Sequence, residues 1–309
     1  MNGFIPVTLA KMSENNMKSN EFKTYHPIVN FLYFITVIGF SCVFMHPICL
    51  CISFFSAFLY SVMLKSNIKL KYLLIMFVGM AILNPVFNHE GITILSYLPS
   101  GNPLTLESIV YGVLASIMLL SVICWFSCYN EIMTSDKFIY LFGRIIPSLS
   151  LVLSMTLRFV PRFKEQMKKV MEAQTAIGQG ISDGGIIKRV KNGLSIISVM
   201  ITWSFENAID TADSMKARGY GTHGRTSFSI YSFDKRDKKV LFAITLLGIY
   251  IIVGRIFGAL DFIYFPLIRF GELSVYSISV FFAYLLICLV PIIIEVWEVI
   301  RWKALISKI

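Results

Sequence analysis

The sequence predicts an all-α polytopic membrane protein, with about six transmembrane helices and a cytoplasmic domain of long amphipathic helices. Three observations carry this prediction. Of the 309 residues, 56% are hydrophobic, and the mean hydropathy is +0.71. Apolar runs recur along the chain, and most approach the length of about 20 residues that a helix needs to cross a bilayer. Lys and Arg lie mainly between these runs rather than within them.

Six apolar runs predict the spans, at residues 28–44, 47–64, 72–86, 108–128, 240–258 and 277–294. Residues 1–23 lack the apolar run and small-residue cleavage site of a signal peptide, so we expect the first span to direct its own insertion. The third run is short, and we expect its helix to break at Asn84-Pro85 because proline cannot donate a backbone hydrogen bond. A polar loop is expected from Asn88 to Glu107.

Positive charge predicts the orientation of these spans. With the N-terminus in the cytoplasm, all Lys and Arg residues except Arg255 and Arg269 fall on the cytoplasmic side. The opposite orientation would place nearly all of them outside, against the positive-inside rule. Both termini are therefore predicted to be cytoplasmic. Arg255 is expected to reach the outer interface with its guanidinium group.

The same pattern divides the chain into four regions. Residues 1–26 form a cytoplasmic segment, 27–128 the first four spans, 129–239 a cytoplasmic domain, and 240–309 the last spans with a short tail. A further apolar stretch, Ile145–Val160, has Pro147 near its start and Pro161 just after its end. A crossing there would export most of the cationic region that follows, so we interpret the stretch as the membrane-proximal start of a long, bent helix.

Two long amphipathic helices are predicted within residues 129–239. The first ends at Ala176-Ile177-Gly178 and carries an apolar stripe at helical spacing, made by Phe163, Met167, Val170 and Met171 with Gln174. The glycine-rich stretch 178–185 is expected to be a loop without a reason to be rigid. The second helix is expected to begin near Ile186 and to end at Ala217-Arg218-Gly219. It also carries an apolar stripe, and its middle, residues 194–203, is mostly apolar.

The last third of the second helix carries two patterns. Glu206, Asp210 and Asp213 form an acidic stripe, which is either a solvated face or a surface for docking or helix crossing. Ala208 and Ala212 lie four residues apart, a spacing of small residues that lets two helices cross closely. No nucleophile or metal ligand accompanies the carboxylates, so paired-carboxylate catalysis is a poor interpretation.

Several classes of function find no support in the sequence. The net charge of +10 is explained by cytoplasmic retention of Lys and Arg, so nucleic-acid binding is not expected. The six cysteines lie in or beside apolar runs without zinc-site spacing, so no metal site is expected. The phosphate-binding pattern G-x-x-x-x-G-K-[ST] and the G-x-S-x-G elbow are both missing from the printed sequence. If ATP drives this protein, another chain must hydrolyse it.

The chain resembles the transmembrane T component (EcfT, CbiQ-like) of energy-coupling factor (ECF) transporters. Three stretches carry the resemblance. Leu157-Arg158-Phe159-Val160-Pro161 leading to Glu172-Ala173-Gln174 resembles the family's first coupling helix, and the stretch from Ala208 to Ala217-Arg218-Gly219-Tyr220-Gly221 with Gly224-Arg225-Thr226 resembles the end of its second. Asn84-Pro85-Val86-Phe87-Asn88-His89-Glu90-Gly91 resembles a family stretch after an early span. The Ala-Arg-Gly motif is specific because it ends a cytoplasmic helix after four spans.

The resemblance implies a function as well as a fold. The two long helices would be coupling helices that cross in an X in a bacterial cell membrane protein. Their two tips, Ala176-Ile177-Gly178 and Ala217-Arg218-Gly219, would each dock on one of two ABC ATPase subunits. Their membrane-facing side would hold a membrane-embedded, substrate-binding S component, with candidate contacts at Phe163, Met167, Val170, Met171, Ala208 and Ala212. The chain itself would bind no cofactor and catalyse no reaction, and the system would import a vitamin or a transition metal.

One residue departs from the family pattern. Ile177 stands where the family has Arg, and the loss of a charge-assisted hydrogen bond removes about 1.5–3 kcal/mol. The first tip would therefore bind a divergent ATPase, or dock more weakly through Ala176 and Gly178.

Two other classes remain as alternatives, a self-contained secondary carrier and a membrane-embedded enzyme. Charged residues are nearly absent from the predicted spans and no repeat with broken helices is evident, which argues against a carrier. No His or Asp cluster lies in the spans, which argues against an enzyme.

Overall fold

A computed structural model of the chain describes residues 20–66, 70–97, 102–143, 146–182, 184–220, 231–271 and 274–306. Within these ranges the α-helices are α1 Pro27–Val43, α2 Pro47–Met63, α3 Leu70–Phe87, α4 Leu106–Ile132, α5 Ser135–Gly143, α6 Pro147–Ala176, α7 Ile186–Ala217, α8 Lys235–Ile256 and α9 Val275–Ile306. A 3-10 helix, Glu21–Thr24, precedes α1. Parts of the sequence predictions lie outside the described residues. These parts are residues 1–19 of the N-terminal segment, Asp183 of the predicted loop, and residues 221–226 of the family resemblance.

The helices confirm a polytopic helical membrane protein. Four of them, α3, α4, α8 and α9, are long and apolar enough to cross a membrane, while α1 and α2 are shorter apolar helices of 17 residues each. At about 1.5 Å per residue, α1 and α2 are somewhat shorter than a hydrocarbon core of about 30 Å. The six predicted spans are therefore all helical, and their number as full crossings stays a prediction.

The expected break at Asn84-Pro85 is wrong, because α3 continues through Pro85 and ends at Phe87. Here α3 meets Gly112 of α4 at close range. A Cβ added to Gly112 would lie 3.2 Å from both the Ala81 carbonyl oxygen and Pro85 Cδ. Proline removes the amide hydrogen that the Ala81 carbonyl would accept, and packing against α4 keeps the helical path at this last turn.

The polar loop expected after α3 instead contains an antiparallel hairpin of β1, Ile94–Tyr97, and β2, Pro103–Thr105. Buried Glu107 at the start of α4 fastens it, because its carboxylate accepts hydrogen bonds from the Thr93 amide and, at 2.8 Å, from the Thr93 hydroxyl. Gly91 has φ +131°, and a Cβ there would lie 2.6 Å from Glu107 Oε2. The glycine is therefore required for this close approach.

The apolar core of the bundle surrounds Trp125 of α4, which is fully buried with Tyr33, Tyr60 and Tyr284. Trp125 Nε1 donates a hydrogen bond of 3.0 Å to Ser53 Oγ, so the buried indole N–H is satisfied. Helix α4 packs against α1, α2 and α3. By contrast, only 11% of the 18 residues of α3 are buried within this chain. Most of the α3 surface must therefore face lipid or another chain.

Beyond α8, the chain makes a second short hairpin of β3, Phe262–Ile263, and β4, Arg269–Phe270. Arg255, near the end of α8, forms an ion pair with Asp261 of the following turn. This pairing gives the cation a local partner at the end of the helix. Helix α9 then continues through Pro291 to Ile306.

The chain divides into two compact units. One is formed by residues 20–137 together with 231–306, and the other by residues 138–220. The first contains the apolar bundle and both hairpins. The second contains most of α5 and the two long helices α6 and α7, which pack against each other. The division falls inside α5, a helix that the sequence analysis did not predict.

Candidate functional site

Helices α6 and α7 have the bounds that their sequence predicts. Helix α6 starts at Pro147, where the missing amide hydrogen costs nothing, and runs through Pro161 to Ala176. Helix α7 runs from Ile186 to Ala217. The rings of Phe163 and Trp203 lie 6.2 Å apart between centroids and join the two helices. The apolar stretch starting at Pro147 is therefore the beginning of the first long helix, as predicted.

The tip of α6 is a complete Schellman motif. Ile177 is the C-cap, and Gly178 follows in the left-handed region with φ +74°. The Gly178 amide donates to the Thr175 carbonyl at 3.0 Å, and the Gln179 amide donates to the Gln174 carbonyl at 2.9 Å. These two bonds satisfy carbonyl groups that the end of the helix would otherwise leave unpaired.

The tip of α7 repeats this geometry residue by residue. Arg218 is the C-cap, and Gly219 has φ +71°. The Gly219 amide donates to the Lys216 carbonyl at 3.0 Å, and the Tyr220 amide donates to the Met215 carbonyl at 3.1 Å. The two Ala-x-Gly sequences thus end their helices in the same way.

Both tips present their middle side chain at the surface. Ile177 is 66% exposed, and Arg218 is also exposed. Ala176 and Ala217, one residue earlier, are exposed as well. The structure therefore places all the predicted tip residues at accessible helix ends, and their docking role stays a prediction.

The connection between the two helices is held in place, which corrects the expectation of a loop without a reason to be rigid. Buried Asn192 on α7 donates from Nδ2 to the Gly180 carbonyl at 2.9 Å. Arg189 Nε donates to the Gly184 carbonyl at 3.1 Å. Side chains from the first turns of α7 thus bind the loop that leads into them. Nothing in the sequence pattern around Arg189 and Asn192 indicates that these side chains bind the loop.

The predicted partner surface is partly packed and partly exposed. Phe163 and Met167 on α6 are about two-fifths exposed, and Val170 and Met171 are half-buried. Ala208 and Ala212 on α7 are exposed. The acidic stripe of α7 is also exposed, and Asp213 forms an ion pair of 3.7 Å with Lys216.

An apolar stripe on α7 is predicted from the sequence, and the structure shows that this stripe is long and exposed. We call it the α7 stripe, and its exposed members, three or four residues apart, are Ile186, Val190, Leu194, Ile197, Ile201, Phe205, Ala208 and Ala212. The signal was present as apolar residues at helical spacing. Its exposure was not predictable, because periodicity shows that a face is apolar and does not show whether the chain covers it.

A feature that was not predicted from the sequence is a carboxylate inside the bundle. Tyr60 on α2 donates a hydrogen bond of 3.4 Å to Glu295 Oε1 on α9. Charged residues were judged nearly absent from the spans because the predicted last span ended at residue 294.

Among the described residues, no group of three or more His, Cys, Asp or Glu side chains could hold a metal ion.

Comparison with known proteins places this architecture in a family. The profile of the CbiQ family, described as "Cobalt transport protein", matches residues 22–228, which is more than half of the chain. That range runs from the 3-10 helix through both tips.

Curated relatives give the same direction. The chain is 37% identical over 109 residues to the "Energy-coupling factor transporter transmembrane protein EcfT" of Lactobacillus helveticus, covering 35% of this chain and 39% of the relative. It is 38% identical over 111 residues to the protein of the same name from Leuconostoc gelidum, covering 36% and 41%. A Brevibacillus brevis protein of that name is 34% identical over 113 residues, covering 36% and 42%. The chain thus spans about two-fifths of the length of the curated relatives it matches. With the family profile covering the first four predicted spans and both long helices, this chain belongs to the CbiQ cobalt transport protein family.

Proposed function

We propose that this chain is the transmembrane coupling (T) component of an ECF-type importer. It transmits movement from two ABC ATPase subunits to a membrane-embedded S component that binds the transported substrate. Family membership and relatives named as transporter transmembrane proteins support this proposal. The chain itself hydrolyses no ATP, and the partner subunits supply that reaction.

The α7 stripe is the observation that carries the proposal. It extends along nearly the whole 32-residue helix, and its aliphatic side chains are exposed in the isolated chain. An apolar stripe of this length is costly in water and is typical of a surface that another apolar body covers. A membrane-embedded S component has the chemistry to cover it. The exposed Ala208 and Ala212 allow the closest approach at the stripe's end.

The tips provide the second contact, with the ATPase subunits. A Schellman motif fixes the direction in which the C-cap side chain leaves the helix, so Arg218 is presented on a rigid turn. The guanidinium group offers a planar fork of donors that fits a carboxylate in an acidic groove. Ile177 offers no charge, so the first tip binds its ATPase through apolar contact.

The orientation follows from charge. Basic residues crowd the region that contains α6 and α7, so the positive-inside rule places that region and both termini in the cytoplasm. The tips then lie on the side where ATP is available. The proposed substrate is a transition metal or a vitamin, carried by the S component rather than by this chain, and the family description, "Cobalt transport protein", supports the metal.

A charge reversal at the second tip tests the proposal. Tagged protein is co-expressed with the ATPase and S subunits and purified in detergent. Arg218→Glu is expected to remove at least the ATPase subunit held by this tip from the purified complex while membrane insertion stays normal. Lys191→Glu makes the same charge change on an exposed part of α7, far from the tip, and should leave the complex intact. If Arg218→Glu retains both ATPase subunits, the docking role is wrong.

A further inference from the structure

The short segment before the first span is built into the bundle. Residues 20–26, which we call the N-terminal clamp, contain the 3-10 helix Glu21–Thr24. Phe22 is completely buried, and its ring lies edge-on to Tyr33 at 5.3 Å and to Phe34 at 6.3 Å between centroids. This aromatic contact fixes the segment against α1. A polar, cytoplasmic lead-in to a membrane helix needs no such contact.

One side of the N-terminal clamp binds α5. Lys137 is 4% exposed, and its Nζ donates to the Lys23 carbonyl at 2.5 Å. With the Asn30 amide oriented to satisfy both of its ends, Lys137 Nζ also donates to Asn30 Oδ1 at 2.8 Å, and Asn30 donates to the Phe22 carbonyl at 3.2 Å. Lys23 forms an outer ion pair of 4.0 Å with Glu131.

The charge of Lys137 is costly in this position. Burial, followed by the nearby charge of Lys23, lowers the pKa of the Lys137 ammonium group to about 8. A buried ammonium group is tolerated where several acceptors surround it. The carbonyl of Lys23 and the amide of Asn30 provide them. The side chain thus depends on the N-terminal clamp.

The other side of the N-terminal clamp binds the start of α8. Asp237 is 2% exposed, and its Oδ1 accepts a hydrogen bond of 3.2 Å from the His26 amide. Its Oδ2 accepts a hydrogen bond of 3.0 Å from the Asp234 amide, and this bond completes the capping box of α8. Arg236 donates to Thr24 Oγ1 at 3.1 Å, and its guanidinium carbon lies 4.7 Å from the Tyr25 ring centroid.

These two contacts sit at special places in the chain. The unit containing α6 and α7 is joined covalently to the bundle at residues 137–138 and again at residues 230–231. Lys137 is the last residue before the first junction, and Arg236 and Asp237 follow shortly after the second. The N-terminal clamp therefore binds both lengths of chain through which α6 and α7 are attached.

We propose that the N-terminal clamp couples the two attachment points, so that a displacement of α6 and α7 is passed to α1 and α8 as one movement. Lys137, Arg236 and Asp237 are then positioning residues for the transmission, since they act through the segment they hold. The inference rests on the proposed coupling function and adds residues to it that neither tip contains. Without the clamp, each attachment point could yield separately and the movement would be absorbed.

Hydrogen exchange in the assembled transporter tests this idea. The complex with its ATPase and S subunits is placed in lipid nanodiscs, with and without ATP and with hydrolysis blocked. In the unmodified protein we expect ATP to change exchange both in α6–α7 and in α1 and α8. Arg236→Gln should keep the first change and reduce the second at least twofold, as should Asp237→Asn. Arg236→Lys, which retains the charge and a donor to Thr24, should restore part of it.

Lys238→Gln is the matched control, because it removes one exposed cation from the same helical turn and should behave like the unmodified protein. If Arg236→Gln transmits the ATP-dependent change in full, or if Lys238→Gln loses it equally, the inference is overturned. Failure of the proposed function looks different: the ATPase subunits would not bind even the unmodified chain. Arg236 is exposed, so its variant is expected to fold.

Discussion

At the end of α6, exposed Ile177 precedes a glycine with φ +74°, and at the end of α7, exposed Arg218 precedes a glycine with φ +71°. The capping hydrogen bonds of the two tips agree to within 0.2 Å, at 3.0 and 2.9 Å against 3.0 and 3.1 Å. The glycine in each Ala-x-Gly is therefore explained by helix termination alone. Helix geometry leaves the middle residue unconstrained, so in the proposed function that residue would distinguish the partners of the two tips.

The two middle residues differ in the force they offer. In the proposed docking, the Arg218 guanidinium group would bind through charge-assisted hydrogen bonds, which are directional and weaken as salt screens them. Ile177 would bind only by removing apolar surface from water, which is non-directional and little affected by moderate salt. Two tips of one shape would thus recognise two different grooves. This difference provides a direct way to test which ATPase each tip holds.

Removing the charge at the second tip should have the largest effect. Arg218→Ile makes the α7 tip chemically like the α6 tip, and loss of a charge-assisted contact of about 1.5–3 kcal/mol corresponds to roughly 10- to 100-fold weaker ATPase binding. Arg218→Lys should fall between, because it keeps the charge without the planar fork. Titration of purified ATPase onto the chain in nanodiscs measures both. Equal affinity for all three forms would mean that the capped backbone alone is recognised.

The first tip should lose less and should respond differently to salt. Ile177→Ala removes most of the side chain that docking would bury, and full burial of an isoleucine is favourable by about 1.5–3 kcal/mol. We expect roughly 10-fold weaker binding of the ATPase at this tip. Raising salt from about 0.05 to 0.5 M should weaken the Arg218 contact and leave the Ile177 contact nearly unchanged. A salt response of the same size at both tips would remove the chemical distinction between them.

The glycines should have the same effect at both tips, since their backbones match. Gly178→Ala and Gly219→Ala each force a side chain into the left-handed region, at a cost of about 1 kcal/mol. We expect amide exchange in the last turn of each helix to quicken by about 5-fold. Gly185→Ala, on a glycine with φ −71°, is the matched control and should cost less. A large difference between the two tip variants would mean that one cap is supported by contacts beyond its own helix.

The long helices were predictable because both of their ends are written locally. Pro147 and Gly178 bound α6, and Gly185 and Gly219 bound α7, and these residue types act within one turn of where they stand. The apolar period of 3.6 residues supplies the rest. The tips were accordingly located to the residue from sequence.

Features that depend on distant partners were not predictable. The N-terminal clamp was taken for a simple cytoplasmic lead-in, because the residues that hold it, Lys137 and Asp237, are 114 and 211 positions away from their partners Lys23 and His26. The continuation of α3 past Asn84 likewise depends on Gly112 of another helix. Local propensity favoured a break there, and packing between helices overrode it.

The smallest expected effect concerns charge in the last turns, where the tips differ once more. Lys216 lies in the last turn of α7 and pairs with Asp213 at 3.7 Å, whereas the last turn of α6 has no basic residue. A cation there interacts favourably with the helix dipole, and the exposed ion pair adds little. Lys216→Gln should therefore destabilise the end of α7 by about 0.3–1 kcal/mol at low salt.

Glu172→Gln near the end of α6 provides the opposite case. Glu172 pairs with Lys168 at 3.8 Å, in the order Lys before Glu that gives the weaker helical pair, and its negative charge lies near the negative end of the dipole. Removing that charge should change stability by no more than a few tenths of a kcal/mol, with either no effect or a slight gain. Amide exchange at both helix ends, at low and high salt, measures the two variants together. Both variants change exposed charges, so high salt should reduce both stability changes towards zero. A difference between the two variants that persists at high salt must arise from packing at the α7 tip.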